Sequence, residues 1–302
     1  MKKRMILALG ALALLMATQP GWAYDSSQHG GGDNPHGGSP HGDNPHMGSP
    51  HGDAANPHGG NPHGGDSYGK GQHPGGKKGG GGHHYYRQSG PPKDIPAHIR
   101  SRTSEDGQGL NLNNSQVGLK GAEFLATAPD FSEVRSLALK TNKIGDAGLK
   151  LLCDSENFRK VEKLSLWDNG ITAEGVGMIL ASKNFTTLTE LNLMKNEVGD
   201  AGVTALAQSG KLANVTFLDL SKTGMTDAGA KALAQSPHLA NVKRLDLYKN
   251  EIGPEGVKAL LTSPHLKNLE HLDLTLNPVT FEESQELMEQ AKLPKLTVLN
   301  LN

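Results

Sequence analysis

The apolar residues of the chain follow a pattern that repeats every 27 residues, and each copy of the pattern contains two different spacings. Each repeat contains two leucines separated by one residue, the period of two that is typical of a strand with one buried face. Further on, each repeat has an apolar column with a small or apolar residue three positions before it and another beside it, which indicates the inner face of a short helix. The leucine pairs are Leu137/Leu139, Leu164/Leu166, Leu191/Leu193, Leu218/Leu220, Leu245/Leu247, Leu272/Leu274 and Leu299/Leu301. The pattern predicts one strand and one helix per repeat.

Seven copies of this pattern run from Gly107 to Lys295, and an additional strand is predicted from Leu296 onwards. The first copy has the weaker strand, as expected for a terminal repeat. Helix starts are indicated by Pro254, which suits a first helical turn, and by Thr280 with Glu283, which form a capping box. Self-similarity at this period is typical of leucine-rich repeats.

The stretch from Leu188 to Leu206, LTELNLMKNEVGDAGVTAL, resembles the ribonuclease-inhibitor type of leucine-rich repeat and the repeats of the bacterial GALA proteins. The resemblance covers residues 107–302. It implies an α/β solenoid shaped like a horseshoe, with a parallel sheet on the concave side and helices on the convex side. It implies protein binding more loosely. GALA proteins carry an F-box before their repeats, but the segment before these repeats cannot be one, so no ubiquitin-ligase role is carried over.

The first 23 residues have the pattern of a bacterial signal peptide. Three basic residues at positions 2–4 precede an apolar run from Met5 to Met16, and Ala23 ends a short stretch that suits a signal peptidase. The apolar run is too short for a membrane span of ~20 residues. We therefore expect export to the periplasm or the exterior, with no transmembrane segment after cleavage. Cleavage would leave 27 basic against 31 acidic residues, which does not favour nucleic-acid binding.

Residues 24–93 are predicted to be disordered, because Leu, Ile, Val and Phe are absent from them while Gly, Pro, His and Asn dominate. Ten histidines lie between His29 and His84. Imidazole favours zinc, copper and nickel, so the segment is a candidate for weak transition-metal binding. The alternative is a soluble spacer with incidental histidines. The candidate ligands, each in an Asn-Pro-His or Ser-Pro-His triplet, are His36, His41, His46, His51, His58 and His63. Residues 94–106 are interpreted as a linker or cap before the repeats at 107–302.

Two polar features inside the repeats are interpreted as structural. In the family that the repeats resemble, a recurring asparagine satisfies backbone groups of the loops between coils, and here the column contains Asn142, Asn169, Asn196, Asn250 and Asn277. Cys153, the only cysteine, occupies a column of small and medium apolar residues. It is expected to be a buried, unreactive side chain, although an unpaired thiol in an exported protein can also be reactive.

The odd positions of the predicted strands are the candidates for partner binding, because their side chains point away from the core onto the concave face. Three aspartates share one column, and aromatic and arginine side chains, which are common in binding hot spots, flank them. The aspartates have a second interpretation as local hydrogen-bond acceptors. The candidate residues are Trp167, Met194, Phe217, Asp219, Arg244, Asp246, Tyr248, His271 and Asp273.

The final predicted strand, from Leu296, is not followed by a helix, so its edge is a candidate for self-association or for docking a partner. The sequence contains no phosphate-binding loop, zinc-protease helix or nucleophile elbow, so we predict that the chain is not an enzyme and requires no cofactor. Two functions are left open. The first is an exported protein-binding module that uses the concave face. The second is a nickel-, copper- or zinc-buffering or delivery protein that acts through its histidine-rich segment.

Overall fold

A computed structural model describes residues 90–301, and in this range short strands and helices alternate. The strands are β1 (Gly109–Asn111), β2 (Ser136–Ala138), β3 (Lys163–Ser165), β4 (Glu190–Asn192), β5 (Phe217–Asp219), β6 (Arg244–Asp246), β7 (His271–Asp273) and β8 (Val298–Asn300). The helices are α1 (Ile95–Arg100), α2 (Gly118–Thr127), α3 (Gly145–Asp154), α4 (Ala173–Ala181), α5 (Gly199–Gln208), α6 (Asp227–Ala234), α7 (Pro254–Leu261) and α8 (Phe281–Glu289).

The strands form one parallel sheet whose spatial order is the order of the sequence. Leu137 pairs with Leu164, and Leu164 pairs with Leu191, so neighbouring strands are in register at an offset of one repeat. This arrangement confirms the predicted fold class, an α/β solenoid in which each repeat contributes one strand and one helix.

The strands and helices follow from the two apolar spacings. The leucine pairs of β2 to β7 are buried, and the apolar column of each helix is buried on the other side of the same core. Pro254 begins α7, and Thr280 and Glu283 form the predicted capping box at the start of α8. Phe131, Phe158 and Phe185 fill the core where the chain returns from helix to strand. Burial of aliphatic and aromatic side chains therefore supplies the main stabilisation.

Aspartates in the first turns of three helices bind the following repeat. Asp146 accepts hydrogen bonds from the backbone N–H and the hydroxyl of Thr172, just before α4. Asp200 makes the same pair of bonds with Thr226 before α6, and Asp227 accepts from Gly253 N–H before α7. Because the first N–H groups of a helix have no partner within it, these three aspartates complete the starts of α4, α6 and α7 from the repeat before.

The N-terminal end of the described region is closed by α1. Asp94 caps this helix by accepting from Ala97 N–H at 2.9 Å, and Ile99 is fully buried against the repeats. Among the helices of residues 90–301, none has both the length and the apolar character to cross a bilayer. The predicted signal peptide at 1–23, the candidate metal ligands from His36 to His63 and most of the 24–93 segment lie outside the described residues.

Candidate functional site

The sheet has one face turned away from the helices, formed by the side chains at both ends of each three-residue strand and at the position two residues beyond. We call this surface the open face. It corresponds to the concave face of the expected horseshoe. The open face brings together all nine residues that the sequence proposes for partner binding, but it does not expose them equally.

Three aspartates of the open face lie side by side. Asp219 pairs in register with Asp246, and Asp246 pairs with Asp273, so the three residues occupy neighbouring strands about 4.8 Å apart. Asp219 and Asp246 are only 3% and 6% exposed, whereas Asp273 is half-buried. The predicted ladder of like charges is therefore present, but two of its three members are buried.

Local hydrogen bonds hold two of these carboxylates. Asp219 accepts from Ser221 N–H at 2.9 Å, and Asp273 accepts from Thr275 N–H at 2.9 Å. Asn192 occupies the same column and donates its side-chain amide to Asp219 at 2.9 Å. These contacts correspond to the local hydrogen-bonding interpretation of the column, because the carboxylates satisfy backbone groups of their own strand ends.

Asp246 is held by a charged neighbour instead. Arg244 Nε lies 3.1 Å from Oδ1 and 2.9 Å from Oδ2 of Asp246, and the Arg244 guanidinium carbon lies 5.5 Å from the centre of the Phe217 ring. His271 Nε2 lies 3.7 Å from Asp246 Oδ1, which is too long for a hydrogen bond. Arg244 therefore neutralises Asp246 and covers Phe217 at the same time.

Burial shifts the titration of this cluster. It raises the pKa of Asp219, and it raises the pKa of Asp246 to about 7, with the neighbouring charge of Asp219 as the next cause. The pKa of His271 is lowered to about 4, first by burial and then by the positive charge of Arg244. His271 is therefore neutral at neutral pH, and the central part of the open face carries less negative charge than its three carboxylates suggest.

The aromatic residues at the sides of this cluster are half-buried and in contact with lysines. Lys140 Nζ lies 3.4 Å from the centre of a Trp167 ring, and Lys222 Nζ lies 5.5 Å from the centre of the Tyr248 ring. Met194, two residues beyond the end of β4, is only 2% exposed. Cation–π contacts of this kind stabilise the orientation of a ring. Trp167 and Tyr248 thus present partly exposed rings whose orientation the neighbouring lysines favour.

A column of lysines at the edge of the open face was not among the residues singled out from the sequence. Lys195, Lys222 and Lys249 occupy one column, three residues beyond the ends of β4, β5 and β6. The alternation of a strand does not extend to this column, which lies in the turn. Comparing the column across the repeats would have revealed the lysines, because three consecutive copies share them.

The recurring asparagines connect adjacent repeats. Asn169 Oδ1 accepts from Asn142 N–H at 3.1 Å, and Asn196 Oδ1 accepts from Asn169 N–H at 3.0 Å. The side-chain amides also donate to a leucine carbonyl of the repeat before, as in Asn142 to Leu112, Asn169 to Leu139, Asn196 to Leu166, Asn250 to Leu220 and Asn277 to Leu247. All five side chains are buried, so their atoms are unavailable to a partner.

The structure also shows the environment of the thiol and of the possible metal ligands in the repeats. Cys153 is buried, and burial raises the pKa of its thiol to about 12, which keeps it protonated. Within residues 90–301, no three His, Cys, Asp or Glu side chains are grouped so as to hold a metal ion.

Comparisons with known proteins agree with the repeat geometry. Residues 134–153, 186–207, 211–234 and 238–261 match the family model described as Leucine Rich repeat. A search of curated proteins found no match.

Two solved structures illustrate the similarity to other repeat proteins. A leucine-rich-repeat protein of Leptospira interrogans is 20% identical, with a TM-score of 0.34, over 56% of this chain. This chain spans only 38% of the length of that protein. Internalin C2 of Listeria monocytogenes is 19% identical, with a TM-score of 0.40, over 64% of this chain and 80% of its own. Four stretches of the chain are therefore similar to leucine-rich repeats, and the strands of residues 90–301 stack in register as an α/β solenoid.

Proposed function

We propose that this chain is an exported, non-enzymatic module that binds another protein through the open face of its sheet. Leucine-rich repeats generally serve as protein-binding scaffolds, because a stacked solenoid offers an extended surface for contact. The observation that carries the proposal is the placement of Trp167 and Tyr248. Both rings are partly exposed on the open face, and the amine of a lysine lies over each of them.

A fixed aromatic ring favours binding, because little side-chain entropy is lost when a partner covers it. Tryptophan, tyrosine and arginine are also the residue types most often found in binding hot spots. Arg244 lies on the same face but is engaged with Asp246, so we propose it as a secondary contact. The buried residues Met194, Asp219 and Asp246 then support the surface from below.

The experiment compares proteins captured by the full chain and by the double variant Trp167→Ala/Tyr248→Ala. The control variant is Leu119→Ala/Phe281→Ala, which removes two exposed apolar side chains from α2 and α8. We expect a partner, identified by mass spectrometry and then purified, to bind the wild type and the control equally. It should bind the double variant at least about 10-fold more weakly, as expected for the loss of two hot-spot residues. Equal binding by all three proteins would contradict the use of the open face.

The second candidate function is metal buffering or delivery by the histidine-rich segment. It is favoured by the six Asn-Pro-His and Ser-Pro-His triplets of the sequence, because imidazole is a suitable ligand for nickel, copper and zinc. Calorimetry with nickel, copper and zinc should detect binding to the full chain and lose it when the six triplet histidines are replaced by asparagine. Unchanged metal uptake by that variant would exclude this role for the triplets.

Export is part of the same proposal and rests on the pattern of residues 1–23. Expression in a bacterial host should yield a mature chain that begins at Tyr24 outside the cytoplasm, as determined by N-terminal sequencing of the exported fraction.

A further inference from the structure

The side chains of four consecutive turns form one row along the edge of the open face. Lys195, Lys222 and Lys249 donate their backbone N–H groups to Ser221, Tyr248 and Thr275 of the next repeat at 2.8, 2.9 and 2.9 Å. The strand ladder thus continues into the turns, and the lysines lie on neighbouring rungs. Leu276 follows β7 at the same position, and all four residues have φ between 53° and 57°. We call these four residues the lysine row.

The positive charges of the lysine row are incompletely neutralised within residues 90–301. Lys195 Nζ lies 2.9 Å from Asp168 Oδ2, but neither Lys222 nor Lys249 has a carboxylate within ion-pair distance in this part of the chain. Burial lowers the pKa of Lys222, and the charges of Lys249 and Lys195 lower it further. The like charges therefore repel one another, and an anionic partner would relieve that repulsion.

Leu276 adds an apolar end to the row. Its side chain is 57% exposed, on a turn where the neighbouring repeats have lysines. Covering it with an apolar side chain would remove this surface from water. The row therefore combines positive charge with one apolar contact in a fixed order along the sheet.

We infer that the lysine row docks an acidic segment of a partner protein in which an apolar residue follows the acidic ones. This inference rests on the proposed function and narrows it, because it names the chemistry of the partner. The parallel rungs are about 4.8 Å apart and an extended chain advances about 3.3 Å per residue, so a run of acidic residues that crosses the rungs can bring a carboxylate within reach of each long lysine side chain. Leu276 favours a peptide over an anionic polysaccharide, which would offer the row charge but no matching apolar side chain.

The test uses a fluorescein-labelled peptide with four consecutive glutamates followed by leucine and phenylalanine, and the full chain. We expect binding that weakens as the salt concentration rises from 50 to 500 mM, because exposed charges are screened. The variant Lys222→Gln/Lys249→Gln should bind about 3- to 10-fold more weakly, as expected for the loss of two ion pairs at the protein surface. The matched control is Lys231→Gln/Lys258→Gln, which removes exposed lysines from α6 and α7 and should bind like the wild type.

The variant Leu276→Asn tests the apolar end, because asparagine tolerates a positive φ and keeps the turn. It should also weaken peptide binding, whereas a heparin oligosaccharide should compete only weakly. Equal binding by the two lysine variants, unchanged binding by Leu276→Asn, or tighter binding of heparin than of the peptide would each overturn the inference. The proposed function would survive any of these results if Trp167→Ala/Tyr248→Ala still lost the natural partner, and it would fail separately if that variant kept the partner.

Discussion

His271 Nε2 lies 3.7 Å from Asp246 Oδ1. Burial raises the pKa of Asp246 and lowers the pKa of His271 far enough to reverse their usual order. Asp246 has a pKa of about 7 in the folded chain, above its ordinary 3.8. His271 has a pKa of about 4, below its ordinary 6.5. A buried carboxyl group with a raised pKa and a half-buried imidazole that is neutral at pH 7 therefore lie next to each other on the open face.

The two groups should affect stability in opposite directions as the pH changes. The folded state holds the Asp246 proton more tightly than the unfolded state, so this contribution is complete below about pH 4 and is lost as the pH rises through 7. The His271 contribution is complete above about pH 6.5 and is lost as the pH falls through 4. Relative to wild type, His271→Gln should be more stable at pH 4 than at pH 7, and Asp246→Asn should show the opposite trend.

Urea unfolding of the three proteins between pH 4 and pH 8 measures these differences. Comparison with the wild type at each pH removes the contributions of titrating groups that do not interact with Asp246 or His271. Parallel pH profiles for the three proteins would show that neither shift is present.

Two helical glycines should respond to alanine in opposite ways. In α4, an added Cβ at Gly177 meets nothing within 4 Å, so Gly177→Ala should stabilise the protein by about 0.5–1 kcal/mol. In α5, an added Cβ at Gly202 would lie 2.6 Å from Val198 Cγ1 and 3.2 Å from the Cα of Ala173 in the preceding repeat. Gly202→Ala should therefore destabilise the protein by about 1–3 kcal/mol. Thermal unfolding followed by circular dichroism checks both signs, and stabilisation by both changes would contradict the close packing of α4 and α5.

Removal of one ladder asparagine should cost more than removal of an exposed one. Asn169→Ala would leave backbone groups of Asn142 and Leu139 without their partners in the core, at a cost of about 1–3 kcal/mol. Asn241 is exposed and donates to Ala213 O at 2.8 Å, so Asn241→Ala should change the free energy of unfolding by less than about 0.5 kcal/mol. Chemical denaturation distinguishes the two variants, and similar losses would mean that the ladder contributes no more than a surface contact.

Cys153 should be unreactive while the protein is folded. Its thiol is buried and has a pKa of about 12, so the thiolate that attacks alkylating reagents is scarce. Iodoacetamide at pH 8 should modify the protein only after unfolding in guanidinium chloride. Stoichiometric modification of the folded chain within minutes would contradict this assignment.

Self-association through β8 remains a prediction. Among the described strands, β8 pairs only with β7, and Val298 on its open-face side is 38% exposed. If a second copy pairs with this edge, Val298→Lys should reduce association, because a lysine on an edge strand opposes pairing with another strand. Leu119→Lys, an equivalent change on the exposed side of α2, serves as the control in sedimentation velocity runs. A wild-type chain that stays monomeric at the highest concentrations would exclude the contact.

Much of the fold was predictable because the buried apolar positions recur in every copy of the repeat. Leu164 and Leu191 occupy the same position in successive copies. Because the side chains of a strand with one buried face alternate between core and surface, such a pattern identifies a strand from the sequence alone. Capping chemistry located the start of α8 in the same way, because Thr280 and Glu283 act within a few residues of each other.

The open face was less predictable because its side chains interact across repeats. Alternation predicts that Asp219 points away from the helices, but it does not predict that Asn192 and Ser221 will cover it. A second polar column was missed for a related reason. Asn157 and Asn184 donate to carbonyl groups of the preceding repeat, and in the next copy Lys211 does so instead. All three side chains donate a hydrogen bond from a nitrogen atom. A comparison of residue types does not show this common role, because lysine replaces asparagine in the third copy.

The asparagine ladder has a consequence for how this chain can vary in length. Asn169 and Asn196 each accept a hydrogen bond through Oδ1 from the backbone N–H of the residue 27 positions earlier. Loss or duplication of a segment of that size leaves each donor facing an equivalent acceptor, whereas a gain or loss of one residue inside a strand shifts every pairing at that rung. Natural size variants of such a protein are therefore expected to differ by whole coils.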